Sequence, residues 1–163
     1  MVNDLTLEQR KSVCDPERQN MQLMAASADD LLVVSALVQD GIARVRDLQR
    51  EAGARRFTIG LNRFRWEVVS EGKQPSRVRS GLMIEGVNAV RTQNLNRGNP
   101  DAVVDVLSLE FTPDKDHPPA GTLNIFLAGG GLIALDVECI DVTLADVSKT
   151  WGTRRMPDHD GDD

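Results

Sequence analysis

The sequence predicts an α+β domain dominated by an antiparallel β-sheet, rolled or barrel-like, with an N-terminal helix and a short C-terminal helical turn. Three observations carry this expectation. Apolar residues alternate with a period of two over much of residues 42–142, the spacing that turns one face of a strand toward a core. The connections between these runs are short and rich in Gly, Pro, Asn and Asp, leaving little room for crossover helices. Consecutive strands should therefore pair antiparallel. Near the amino terminus, a window of helical spacing carries both a start and a stop signal.

That window runs from Ala28 to Gln39. Ser27 is placed to cap it, Asp29 and Asp30 suit the positive end of its dipole, and Asp40-Gly41 ends it. Leu31, Val34 or Ser35, Val38 and Ile42 form its inward stripe. Strands are expected from Ile42 to Leu48 and from Arg55 to Val69, with a turn at Glu51 to Ala54. In the second run Phe57, Ile59 and Leu61 fall on odd numbers while Phe64, Trp66 and Val68 fall on even ones, and a β-bulge at Asn62-Arg63 would return both sets to one face. Val78 to Val90 reads as one long strand or as two meeting at Gly86. A polar loop from Gln93 to Asp101, a strand from Val103 to Phe111 and a loop from Thr112 to Gly121 with three prolines follow. Thr122 to Ala128 and Leu132 to Cys139 read as a hairpin around Gly129-Gly130-Gly131. After Cys139, the expectation is a strand to about Val142 and then a helical turn, because Ile140, Leu144, Val147 and Trp151 share a helical face. A small barrel of the pleckstrin-homology-like kind is one form such a sheet takes, by fold-level analogy alone.

The chain has 163 residues, 40% apolar and 27% charged, which suits one globular domain and excludes a fibrous or mainly disordered chain. Residues 21–156 make the folded unit. Residues 1–20 are expected to be a disordered leader, and residues 157–163 an acidic mobile tail. The apolar run Leu31 to Val34 is far short of the ~18–20 residues of a membrane helix. The expected location is the cytoplasm, without membrane attachment. Cys14 and Cys139 lie in unlike settings, so no disulfide is expected, and the acidic neighbours of Cys139 disfavour a thiolate.

Charge is the most informative pattern. Residues 41–80 carry ten Lys or Arg against four acids, while the whole chain has a net charge of −6. Arg44 with Arg46, Arg63 with Arg65 and Arg77 with Arg79 are each spaced by two, which puts each pair on one face of a strand. If those strands are neighbours, the arginines make a cationic face for a small anionic ligand or an acidic protein, since guanidinium groups bind carboxylate and phosphate bidentately. Arg44, Arg46, Arg63 and Arg65 are the candidate ligand-binding residues, with Arg63 and Arg65 favoured by the adjoining bulge. The alternative is a solvated face neutralised by Asp47, Glu67, Glu85 and other acids. Nucleic acid is disfavoured by a pI near 4.9 and the absence of Tyr.

Signs of catalysis are weak. Asp136 and Glu138 share a strand face and raise the alternative of a small enzyme with a carboxylate site. His117 and His159 lie in loop and tail contexts, and the triple glycine has no Lys-Ser/Thr after it, so a hairpin tip is expected there instead of a phosphate loop. No cofactor, metal or catalytic residue is expected. Trp66 reads as a core anchor, and Trp151 or a sheet edge leaves a homodimer open. The expected role is a non-enzymatic binding or regulatory module.

The stretches Leu61-Asn62-Arg63-Phe64-Arg65-Trp66-Glu67, Asn99-Pro100-Asp101-Ala102-Val103 and Ala128 to Ile140 resemble an uncharacterised bacterial family of the domain-of-unknown-function type. The resemblance spans about residues 21–155. It implies a single bacterial cytoplasmic domain and brings no activity, cofactor or catalytic residue with it.

Overall fold

The computed structural model describes residues 21–148, 150–153 and 157. The expected leader, most of the acidic tail, Cys14 and His159 lie outside the described residues. Strand β1 (Gln22–Ala25) leads into helix α1 (Ala28–Val38). Ser27 Oγ accepts from the Asp30 N–H at 3.1 Å, and Leu31, Val34 and Val38 are buried, as the sequence predicts. Strand β2 (Ile42–Arg44) passes through a 3-10 turn (Val45–Asp47) into β3 (Leu48–Glu51), and β4 (Arg56–Phe64) returns along it. A short helix α2 (Trp66–Ser70) precedes the consecutive strands β5 (Ser76–Glu85) and β6 (Val87–Gln93). The remaining strands are β7 (Val103–Pro113), β8 (Gly121–Leu127), β9 (Leu132–Val137), β10 (Val142–Asp146) and β11 (Trp151–Gly152).

All the described pairings are antiparallel, in the order β1-β10-β5-β4-β2-β7-β8-β9-β6, with β3 added to β4 and β11 to β5. This is an α+β fold, and chain continuity explains its roll. β6, at one end of the pairing path, follows directly from β5 near the other end. Gly86 makes that junction at φ 69°, where a side chain would be strained. The far edge is thus pulled back over the sheet's own start, and one core forms between, from Leu31 of α1 through Ile59, Leu82, Ile125, Leu135 and Leu144.

Four expectations are corrected. No bulge occurs at Asn62-Arg63: β4 and β5 pair without a break from Arg56↔Glu85 to Phe64↔Arg77. Arg63 itself takes the inward position after Phe57, Ile59 and Leu61, and the even-numbered Trp66 and Val68 belong to α2, since β4 ends at Phe64 and does not reach Val69. Register shifts fall elsewhere, between Val87 and Ala89 in β6 and between Val106 and Ser108 in β7. The run Ile42 to Leu48 is broken by the 3-10 turn, where the Asp47 carboxylate accepts from the Arg44 N–H.

The short C-terminal helix is also absent among the described residues. Val142, Leu144 and Asp146 alternate inward on a true strand between β5 and β1, whereas Val147 and Trp151, which completed the helical spacing, are exposed. The expected junction at Gly86 and the β8–β9 hairpin are both present, and the glycine tip turns at Gly129 (φ 79°) and Gly130 (φ 82°).

Candidate anion-binding site

The structure divides the predicted cationic face into two kinds of arginine. Arg63 is fully buried, with 0% of its side chain exposed. On the inward face of three adjacent strands, Arg63 of β4, Ser80 of β5 and Asp146 of β10 meet, and Glu67 of α2 folds over them. Arg63 Nε and Nη2 donate to the two Asp146 oxygens (3.3 and 3.0 Å), while Nη1 and Nη2 donate to Glu67 Oε2 and Oε1 (both 2.8 Å). Ser80 Oγ and the Met21 N–H also donate to Asp146, at 2.6 and 3.3 Å. Burial opposes the charge on Arg63, but the bonds to Glu67 and Asp146 outweigh it and hold the guanidinium above its ordinary pKa. For Glu67, burial likewise opposes ionisation, and the Arg63 bonds and charge reverse that effect and hold its carboxyl below the usual range.

This cluster is closed and internally satisfied. It leaves no guanidinium edge for a ligand, so Arg63 is corrected from a surface candidate to a core residue. Arg65 is mostly buried beside it, donating to Ser76 Oγ at 3.2 Å with Glu67 3.7 Å away. Trp66 caps the same end, its Nε1 donating to the Gln39 carbonyl oxygen at 2.9 Å and its ring edge-on to Phe64. Arg77 lies over Phe64 and donates to the Asp40 and Asn62 carbonyls, and Arg79 pairs with Asp47 at 3.1 Å.

Arg44 and Arg46 lie elsewhere, so the four candidates are not brought together. Both are exposed and both pair with one carboxylate, Asp101, in the loop before β7. Two positive charges share a single counter-charge there.

Around the corner from this pair is a cavity of about 240 Å³. β3 pairs with β4 and β6 pairs with β9, and between these two pairs of strands the roll is left with a seam. Leu48, Phe57, Val90, Leu95 and Ile133 give the cavity an apolar lining, with Phe57 and Ile133 buried at its floor. Arg50 of β3 and Arg97 of the loop after β6 line it as exposed residues and so stand at its mouth. Arg50 donates to the Asn88 carbonyl oxygen at 3.4 Å. Among the described residues, neither Arg50 nor Arg97 has a carboxylate within ion-pair distance. Sequence reading counted Arg50 in the basic segment without singling it out, and passed over Arg97. The signal for Arg97 was local: Asn94-Leu95-Asn96-Arg97-Gly98-Asn99 offers it no acid.

Asp136 and Glu138 are each engaged by a separate arginine. Asp136 accepts two bonds from Arg91 (2.8 and 3.1 Å) and one from Thr122, on the wall of a polar, open cleft, while Glu138 pairs with Arg55. Each acid has its own arginine. Among the described residues no three His, Cys, Asp or Glu side chains are grouped to hold a metal, and no helix is long and apolar enough to cross a membrane.

The fold and this site define an α+β protein with a rolled antiparallel sheet, a sealed arginine cluster at one end and an arginine-edged apolar cavity in its seam. The chain belongs to the DUF2948 family of proteins of unknown function, which matches residues 21–159. No curated protein and no solved structure matches the chain.

Proposed function

We propose that this protein is a non-enzymatic binding module of the bacterial cytoplasm that takes a small anionic ligand, or the acidic side chain of a protein partner, at the mouth of the seam cavity. The observation that carries the reading is the pair Arg50 and Arg97. They flank a concave, apolar-lined site and, among the described residues, lack the carboxylate partners that neutralise most arginines of the basic segment. A concave apolar site with a few convergent charged groups is the usual form of a ligand pocket. Arg44 and Arg46, with Asp101 between them, add a net positive charge to the same end and steer anions toward it.

Arg63 and Arg65 supply scaffold in this reading, and Arg44 and Arg46 form an outer rim.

The test is an amide NMR titration of the full chain with acetate and with inorganic phosphate. Shifts concentrated on β3 and residues 94–101, weakening as sodium chloride is raised, are the expected result. Anion-induced shifts confined to other surfaces, or none at all, would refute the reading.

A further inference from the structure

We infer that the ligand of the seam cavity is an aliphatic anion: a charged head at Arg50 and Arg97, and a short unbranched tail lying against Leu48, Phe57, Val90 and Ile133. This rests on the anion-binding reading above and specifies the chemical class. The cavity divides by chemistry. Its charged residues, Arg50 and Arg97, are exposed, and its deepest residues, Phe57 and Ile133, are buried hydrocarbon. A bare inorganic anion drawn to the floor would lose its water shell with no donor to replace it. The head therefore stays at the mouth, and the floor is left for something apolar. Thr92 is the one uncharged polar side chain of the lining.

Size follows from volume. The cavity's volume of about 240 Å³ lies below the ~300–1,000 Å³ of drug-sized ligand pockets, so a short tail suits it. A carboxylate and a phosphate monoester both suit two guanidinium groups, and the shared chemistry is an anionic head on an aliphatic tail.

The experiment compares acetate, butanoate, hexanoate, octanoate and decanoate, with hexyl phosphate as the second head group and hexan-1-ol as the uncharged control, by calorimetry and amide NMR on the full chain. Each methylene that reaches the cavity should tighten binding by about fourfold (about 0.8 kcal/mol). Hexanoate is then expected to bind on the order of 10²-fold tighter than acetate, with no further gain beyond octanoate. Hexyl phosphate binding above hexanoate would support the same class with a phosphate ester head. Val90→Trp fills the cavity from the partly exposed β6 and should bring hexanoate down to the level of acetate measured on the same variant. If that variant does not fold, Leu95→Trp in the loop serves the same purpose.

Hexanoate within about threefold of acetate would overturn the aliphatic class and leave the anion-binding reading standing. Hexan-1-ol binding as tightly as hexanoate would show that the head is not read, and would overturn the inference. No shift with any of the anions would defeat both.

Discussion

The closed cluster around Arg63 and the open pair Arg50 and Arg97 use the same side chain for opposite ends. Arg63 is surrounded by Asp146, Glu67 and Ser80, all nearby when β4, β5, β10 and α2 come together. Arg50 and Arg97 come from β3 and a loop on two sides of a seam that the pairing leaves open, and among the described residues no acid is brought to them. The difference teaches that a run of arginines in a sequence says little about binding until each has been matched to its counter-charges. Topology decides which charges the protein satisfies itself.

The largest expected effect lies at the closed cluster. Replacing Arg63 with Ala leaves Asp146 and Glu67 without their partner, and breaking a buried charged pair in this way costs about 3–5 kcal/mol. Urea unfolding should show that loss; a cost under about 1 kcal/mol would mean that the cluster is not an internal support. Ser80→Ala removes one short bond to the Asp146 carboxylate and should cost about 1–2 kcal/mol by the same assay. An unchanged midpoint would place that bond outside the stability of the fold.

The pH dependence sharpens the same contrast. The Glu67 carboxyl is held below its usual range in the folded state, first against the cost of burial and then by the bonds and charge of Arg63. A depressed carboxyl stabilises the fold above its unfolded pKa of about 4.3, and that contribution is lost as pH falls through the lower folded value. Unfolding followed from pH 6 to pH 2 should show this decline, and Glu67→Gln should flatten it. An identical slope in the variant would assign the acid limb to other carboxylates. The exposed rim is expected to matter least to the fold: Arg46→Ala should change stability by no more than about 1 kcal/mol, the range of surface ion pairs.

Much of the fold was legible because it rests on local signals. Ser27, Asp29 and Asp30 start α1 as expected, Gly86 divides β5 from β6, and the triple glycine turns the β8–β9 hairpin. The failures are cases where a distant partner overrides the local pattern. Arg63 occupies a core position that an alternation rule assigns to an apolar residue, and it does so because Asp146, 83 residues away, is there to meet it. That one substitution in the pattern made a straight strand look bulged. Near the carboxyl end, Ile140, Leu144, Val147 and Trp151 matched a helix by spacing, yet Val142 to Asp146 had edges on β5 and β1 to fill. β1 itself gave too short a run to recognise.

Of the charge pattern, the structure bears on position alone: Arg44 and Arg46 are exposed, Arg63 is buried, and pairing by sequence spacing does not separate arginines that face inward from those that edge a cavity. Arg97 lies outside the basic segment and reaches the seam through the loop that follows β6.

The most direct test of the central claim is a side-by-side measurement on the wild-type chain and the double variant Arg50→Ala, Arg97→Ala, recording the melting temperature and the acetate and phosphate NMR titrations for each. Because both side chains are exposed and, among the described residues, without carboxylate partners, the melting temperature should be nearly unchanged while the salt-sensitive shifts on β3 and residues 94–101 disappear. A double variant that melts much lower, or that still binds these anions as the wild type does, would contradict the division into a sealed arginine scaffold and an open arginine site.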